Sequence, residues 1–193
     1  FRNNPELHQF NNLSNNGNEI AFGTIGNAST SEGMFYEAIN AAGVLQVPML
    51  MSVWDDNYGI SVPQEYHTTK GSISKVLEGF RRNEDENGYE IFNVKGWNYQ
   101  SLINTYQQAE KICREEHVPV LVHVEEVTQP QGHSTSGSHE RYKSKERLAW
   151  EVAHDCNLKM KNWIIEEVLV VPEELEEIEK EAKQAARDAK EKA

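Results

Sequence analysis

The stretch Gly26-Asn27-Ala28-Ser29-Thr30-Ser31-Glu32-Gly33 closes an apolar run and opens a helix-patterned one, Met34 to Ala42. Small side chains at such a turn let backbone N–H groups approach an anion, and the helix N-terminus adds about half a positive charge. About thirty residues on, Asp55-Asp56-Asn57-Tyr58 closes a second apolar run. Two oxygen-rich turns at the ends of consecutive strands can hold a hard cation and the phosphate it bridges. Taken singly, each has a plainer account. The first can be a tight turn with Thr30 or Ser31 as N-cap. Asp55 and Asp56 can both be solvated loop acids, or one a metal ligand and the other a surface group.

These turns need strands and helices to place them. Residues 19–25 read as a short apolar strand, and its near-continuous apolar character suits a parallel strand covered on both faces. Residues 32–45 carry helical spacing, with Phe35, Ala38, Ile39, Ala42 and Leu45 on one face. Val47 to Val53 is the next strand, and Gly59 to Pro63 leads into a loop. Ser72 opens a short helix to Phe80, and Tyr89 to Val94 alternates as a third strand. A helix over 99–116 turns Leu102, Ile103, Tyr106, Ala109 and Ile112 or Cys113 inward, before a fourth strand over 119–124. Strands separated by such helices predict an α/β fold, a doubly wound parallel sheet with helices on both faces. Right-handed crossovers follow from that pattern.

From Glu125 to Lys145 the chain turns polar, with His133 inside the run Thr128 to His139. Loops of that length are uncommon in compact domains and are often functional. Helical pattern resumes near Ser144. The segment Pro172 to Ala193 starts on proline, with acids early and bases late, as the helix dipole favours. Its stripe of Leu175, Ile178, Ala182, Ala185 and Ala189 is expected to lie on the domain or on a partner. The predicted organisation is a polar lead-in over 1–18, an α/β core over 19–127, a histidine-bearing loop over 128–143 and C-terminal helices over 144–193.

The chain has 193 residues and a formal charge of −12. That length can bury a sizeable core. The acidity argues against nucleic acid or an anionic membrane as partner, and no apolar run reaches the roughly twenty residues of a membrane span. Cys113 and Cys156 form no C-x-x-C pair, so reduced, inert thiols and a cytoplasmic location are expected. Phe1 is no initiator methionine, so the chain is expected to belong to a longer polypeptide. The histidines show no zinc spacing; His67, His139 and His154 read as incidental, and His123 as a satisfied core residue. Ser134 and Ser136 lack a strained nucleophile elbow. Trp54 and Trp97 read as core or interface residues.

Three motifs in register resemble the alpha subunit, or alpha half, of the thiamine-diphosphate-dependent decarboxylating component of 2-oxoacid dehydrogenase complexes, of pyruvate or branched-chain 2-oxoacid type. Thr30-Ser31-Glu32-Gly33 with Phe35, Glu37-Ala38 and Asn40 is similar to the family's diphosphate turn and following helix. Asp55 to Pro63 is similar to its second metal-binding turn, and Gly132 to Ser136 to the start of its histidine-bearing loop. The resemblance covers most of residues 19–193. It implies thiamine diphosphate held through Mg²⁺, with Asn27, Asp56 and the Tyr58 carbonyl on the metal. Gly26, Ala28 and Ser29 would line the diphosphate turn, Ile60 would sit near the cofactor, and His133 would face the reactive ring, orient substrate and assist acyl transfer. It further implies a 2-oxo acid substrate, a beta half supplying the activating glutamate, and a lipoyl-bearing acyltransferase. On that basis this chain alone is expected to be inactive.

The chain departs from the family pattern at four positions, Asn27, Ala28, Asp56 and Gln129. Gly26-Asn27-Ala28 stands where the family usually has Gly-Asp-Gly or Gly-Glu-Gly, whereas Asp56 stands where asparagine is usual. The carboxylate has crossed the site, and an oxygen-seeking ion accepts either arrangement. Gln129 replaces a basic residue often found four places before the loop histidine. A non-catalytic diphosphate-binding or assembly module on the same fold is the alternative. A flavodoxin-like nucleotide binder ranks lower, for want of a P-loop lysine or a G-x-G-x-x-G.

Overall fold

A computed structural model describes residues 4–10, 12, 14–133 and 138–193. Ser134 and Ser136 lie outside the described residues. Four parallel strands form the main sheet: β1 (Ala21–Gly26), β2 (Met49–Trp54), β5 (Glu90–Lys95) and β6 (Val120–Glu125), in the order β1-β2-β6-β5. The two-residue strands β3 (Tyr58–Gly59) and β4 (Val62–Pro63) make a small antiparallel hairpin where the sequence had predicted a loop.

Strand alternation divides the core in two. On one face α1 (Gly33–Leu45) sends Phe35, Ile39 and Ala42 onto Val53, Ile91 and Leu121. Ile73 and Leu77 join them from a single α-helical turn, α2 (Ile73–Val76), which tightens into a 3₁₀ turn over Leu77–Phe80. On the other face Ala109 of α3 (Tyr99–Lys111) and Cys113, from the wider π turn that follows, pack on Leu50, Val94, Val120, Val122 and Val124. Helices therefore cover both faces, as predicted. β6 carries no exposed residue because it lies between two strands and between both helical layers.

Three local expectations change. β1 is an edge strand and is not covered on both faces: Phe22 stays 60 % exposed on the α3 side, which α3 does not reach. Ala38 and Leu45 of α1 and Ile103 of α3, expected to face inward, also point outward. Neither Thr30 nor Ser31 caps α1. The Thr30 hydroxyl donates to the Asn27 carbonyl at 2.6 Å, and the Ser31 hydroxyl to that of His67 at 2.7 Å.

The C-terminal part comprises α4 (Lys145–Ala153), α5 (Cys156–Glu166) and α6 (Pro172–Lys192). Ser144 and Asp155 cap the first two by accepting from the N–H groups of Arg147 and Leu158. The α6 stripe does not bury itself on the domain: no residue of that helix is buried, and it is tied to α5 by Lys161 and Glu179 at 2.7 Å. Among the described residues no helix is long and apolar enough to cross a membrane.

Two predictions arise from this packing. Burial pushes the Cys113 thiol up to about 11, while Cys156 remains partly exposed. An alkylating reagent at neutral pH is expected to label Cys156 in the folded protein and Cys113 only on unfolding, read by peptide mass spectrometry. A Cβ on Gly59 would lie 2.7 Å from the Cβ of Ala28, so Gly59→Ala forces the hairpin off the first turn. It is expected to cost about 1–3 kcal/mol in chemical denaturation.

Candidate active site

Consecutive residues at a strand end point to opposite sides, and this decides what the two acids of the second turn do. Asp55 turns inward. Its Oδ2 accepts from Gln64 Nε2 at 2.7 Å and from His123 Nε2 at 2.9 Å, and its Oδ1 from the N–H of Asn57 at 2.8 Å. Burial alone would raise this carboxyl, but the His123 and Asn57 hydrogen bonds outweigh it and hold Asp55 below the usual carboxylate range. An ionised carboxylate only accepts, so His123 carries its proton on Nε2. Its Nδ1 is left to accept from the Ser74 hydroxyl at 3.1 Å, and that oxygen accepts from Asn93 Nδ2 at 2.7 Å. His123 is thus the satisfied core residue that its strand position predicts. Asp55 is not a surface group.

Asp56 turns the other way. It is buried, and its Oδ1 accepts from the N–H of Tyr58 at 3.0 Å, but Oδ2 has no hydrogen-bond partner among the described residues. His133 Nε2 approaches that oxygen at 3.5 Å, too far for a good hydrogen bond. Burial raises the Asp56 carboxyl above its ordinary value, against the opposing pull of the Tyr58 N–H, His133 and Lys143.

Asp56 faces a hollow of about 230 Å³, lined also by Gly26, Asn27, Trp54, Gln129 and His133. It lies beyond the carboxyl ends of β1, β2 and β6. The chain order reverses there between β2 and β6, which is where open α/β sheets bind ligands. Asn27 is buried, and its amide Nδ2 also lacks a partner among the described residues. One orphan donor and one orphan acceptor on one hollow each cost about 1–3 kcal/mol if left bare. Together they suit a cation beside Asp56 and a phosphate oxygen beside Asn27. Among the described residues no cluster of three His, Cys, Asp or Glu side chains can hold a metal. A cation here would therefore rest on one carboxylate plus amide and carbonyl oxygens, a donor set suited to Mg²⁺ rather than zinc.

The fold thus brings Gly26, Asn27, Asp56 and His133 to one place. Ala28 and Ser29 follow in the 3₁₀ turn after β1, beside the hollow but not in its lining, and the Tyr58 ring packs toward Tyr142. Ile60 is not drawn in: it occupies the tip of the β3–β4 hairpin, 70 % exposed, at φ 59°. A β-branched residue is strained there. Trp54, read as core or interface, is half exposed and borders the hollow, with its Nε1 donating to the Ser52 hydroxyl at 2.9 Å.

Sequence reasoning missed a buried ion cluster behind the site. Lys143 donates to both oxygens of Glu151 at 2.8 Å, and Arg147 Nε reaches one of them at 2.8 Å. The only available signal was the i,i+4 spacing of Arg147 and Glu151, which usually marks a solvated helix face.

A family profile described as "Dehydrogenase E1 component" matches residues 9–193. The chain is 25 % identical over 175 residues to the pyruvate dehydrogenase E1 component subunit alpha of Rickettsia typhi, an alignment covering 91 % of this chain and 51 % of that one. It is 30 % identical over 142 residues to the mitochondrial 2-oxoisovalerate dehydrogenase subunit alpha of Dictyostelium discoideum, covering 72 % of this chain and 30 % of that protein. The subunit alpha of Porphyra purpurea pyruvate dehydrogenase E1 component is 25 % identical over 159 residues, 82 % and 43 % of the two chains. The chain spans about half the length, or less, of these curated relatives. With its parallel sheet and a hollow at the switch point, the chain belongs to the dehydrogenase E1 component family, where it aligns with the alpha subunits of 2-oxoacid dehydrogenases.

Proposed function

We propose that this chain is the diphosphate-binding part of the alpha half of a 2-oxoacid dehydrogenase, holding thiamine diphosphate through Mg²⁺. The reaction is oxidative decarboxylation of a 2-oxo acid, with transfer of the acyl group to a lipoyl-bearing acyltransferase. The observation carrying this proposal is the pair of buried, partnerless polar atoms, Asp56 Oδ2 and Asn27 Nδ2, on the hollow that His133 also lines. Asp56, the Asn27 amide oxygen and the Tyr58 carbonyl would hold the ion. Gly26, Ala28 and Ser29 would leave room for the diphosphate. When bound, the cofactor supplies the carbanion and the electron sink that decarboxylation requires.

The chain's own residues position groups and move protons. His133 sits at the hollow's mouth with Nε2 turned toward Asp56, where it can orient a 2-oxo acid and pass a proton during acyl transfer. Trp54 and Val127 exclude water from the neighbouring wall. The strain at Ile60 supports a role for its exposed side chain beside the cofactor, since costly backbone conformations gather at functional sites. No residue here is assigned the activation of the cofactor ring; that group is expected from a beta half, so the chain alone should be inactive.

The test is release of CO₂ from a panel of 2-oxo acids by the whole protein with its beta half, Mg²⁺ and thiamine diphosphate. His133→Ala is expected to lower kcat by about 10²–10⁴ while leaving cofactor affinity close to normal. Asp56→Asn leaves the site without a carboxylate and is expected to weaken Mg²⁺ binding by at least about 10–100-fold, read by titration calorimetry. Adding Asn27→Asp to that variant returns one carboxylate to the opposite turn and is expected to recover most of the loss. Tight cofactor binding with no turnover of any 2-oxo acid would favour the non-catalytic module instead. Failure of the double variant to regain affinity would remove the shared-ion geometry.

A further inference from the structure

We propose that Lys143, Glu151 and Arg147 form a positioning clamp that fixes the His133 loop against the Asp56 turn. As a statement about catalysis this rests on the function proposed above; as a statement about structure it does not.

The contacts run in a closed circuit that begins and ends on Asp56. Arg147 Nη2 donates to the Asp56 carbonyl at 2.9 Å, and Nη1 to Asn57 Oδ1 at 3.1 Å. The third arm of the same guanidinium, Nε, donates to Glu151 Oε1 at 2.8 Å. Glu151 holds Lys143 through both carboxylate oxygens, and Lys143 Nζ donates onward to the Gln129 carbonyl at 2.8 Å. That carbonyl also accepts from the N–H of Gly132 at 2.8 Å, closing the turn that delivers His133. His133 then reaches back to Asp56 Oδ2 at 3.5 Å.

The clamp cannot be a casual surface pair. The side chains of Lys143 and Glu151 are 1 % and 0 % exposed, and a buried charge persists only where its partners are fixed. Each terminal donor also has a backbone carbonyl as target, so what is held is main chain, with little rotamer freedom to absorb error. The Tyr58 ring closes the inner side, with Lys143 Nζ 5.2 Å and the Arg147 Cζ 5.5 Å from its centroid. Arg147 is the member that hydrogen-bonds to the metal-side turn, and its planar fork is what lets it reach three acceptors at once. The three residues act through His133 and Asp56 and are positioning residues, not catalytic ones.

Arg147→Lys separates this role from simple stability. A lysine keeps the charge beside Glu151 but cannot also reach the Asp56 carbonyl and Asn57. Hydrogen exchange on the whole protein is expected to rise by about tenfold or more at the amides of 56–58 and of Gln129, Gln131, Gly132 and His133 together, with the melting temperature and the exchange of β2 and β6 little changed. In the assembled enzyme the same variant is expected to lower kcat by about tenfold with little change in the KM for the 2-oxo acid, because groups are misplaced rather than lost. Arg147→Met, which spares the Lys143–Glu151 pair, is expected to do the same. If exchange rises in neither segment, or in one alone, the clamp is refuted. If exchange rises in both but no 2-oxo acid is turned over by the unaltered enzyme, the clamp stands and the proposed function falls.

Discussion

The site depends on a single requirement: two neighbouring carboxylates at the end of β2 must live in opposite surroundings. The strand's alternation sends Asp55 into the sheet and Asp56 into the hollow. Asp55 has three donors, from His123, Gln64 and Asn57, and these hold it ionised in a place that would otherwise strip its charge. That inner anchor fixes the turn on which Asp56 stands with one oxygen unpaired. Loss of the His123 bond would leave a buried acid short of a donor, and the turn would have to move to rehydrate it. The inner acid is structural, and the outer one keeps an oxygen turned to the hollow.

The same division explains what could be read from the chain. The four parallel strands, the covering helices and the turns at Asn27 and Asp56 were legible, because periodicity and turn chemistry are local. His133 was legible through its neighbours. The inward turn of Asp55 was not: the resemblance picked out Asp56 alone, and from the residues themselves both are acids after a strand, so which one turns inward depends on exact strand phase. The roles of Lys143, Arg147 and Glu151 were hidden for a different reason. Charged residues in a polar loop and on an early helical turn usually face water, and only the tertiary return of α4 onto the hairpin buries them. The left-handed backbone of Ile60 at an exposed hairpin tip was likewise not legible, since a β-branched residue gives no sign of such a turn.

Against the pattern that the family resemblance implies, the placement of charge differs in a coherent way. One turn carries an amide where an acid is usual, and the other an acid where an amide is usual. Gln129 carries no charge, and the cation nearest its main chain is Lys143, held from behind by Glu151. Local balance is thus kept by pairs that span elements. A single substitution toward the commoner pattern would unbalance the hollow, whereas matched changes would not.

The edge strand β1 has a further consequence. Its α3-side flank leaves Phe22 bare, and among the described residues its outer edge offers backbone groups that no neighbouring strand pairs. Such an edge is adhesive, and nothing on it acts as a gatekeeper: Ala21 to Gly26 contains neither a charge nor a proline.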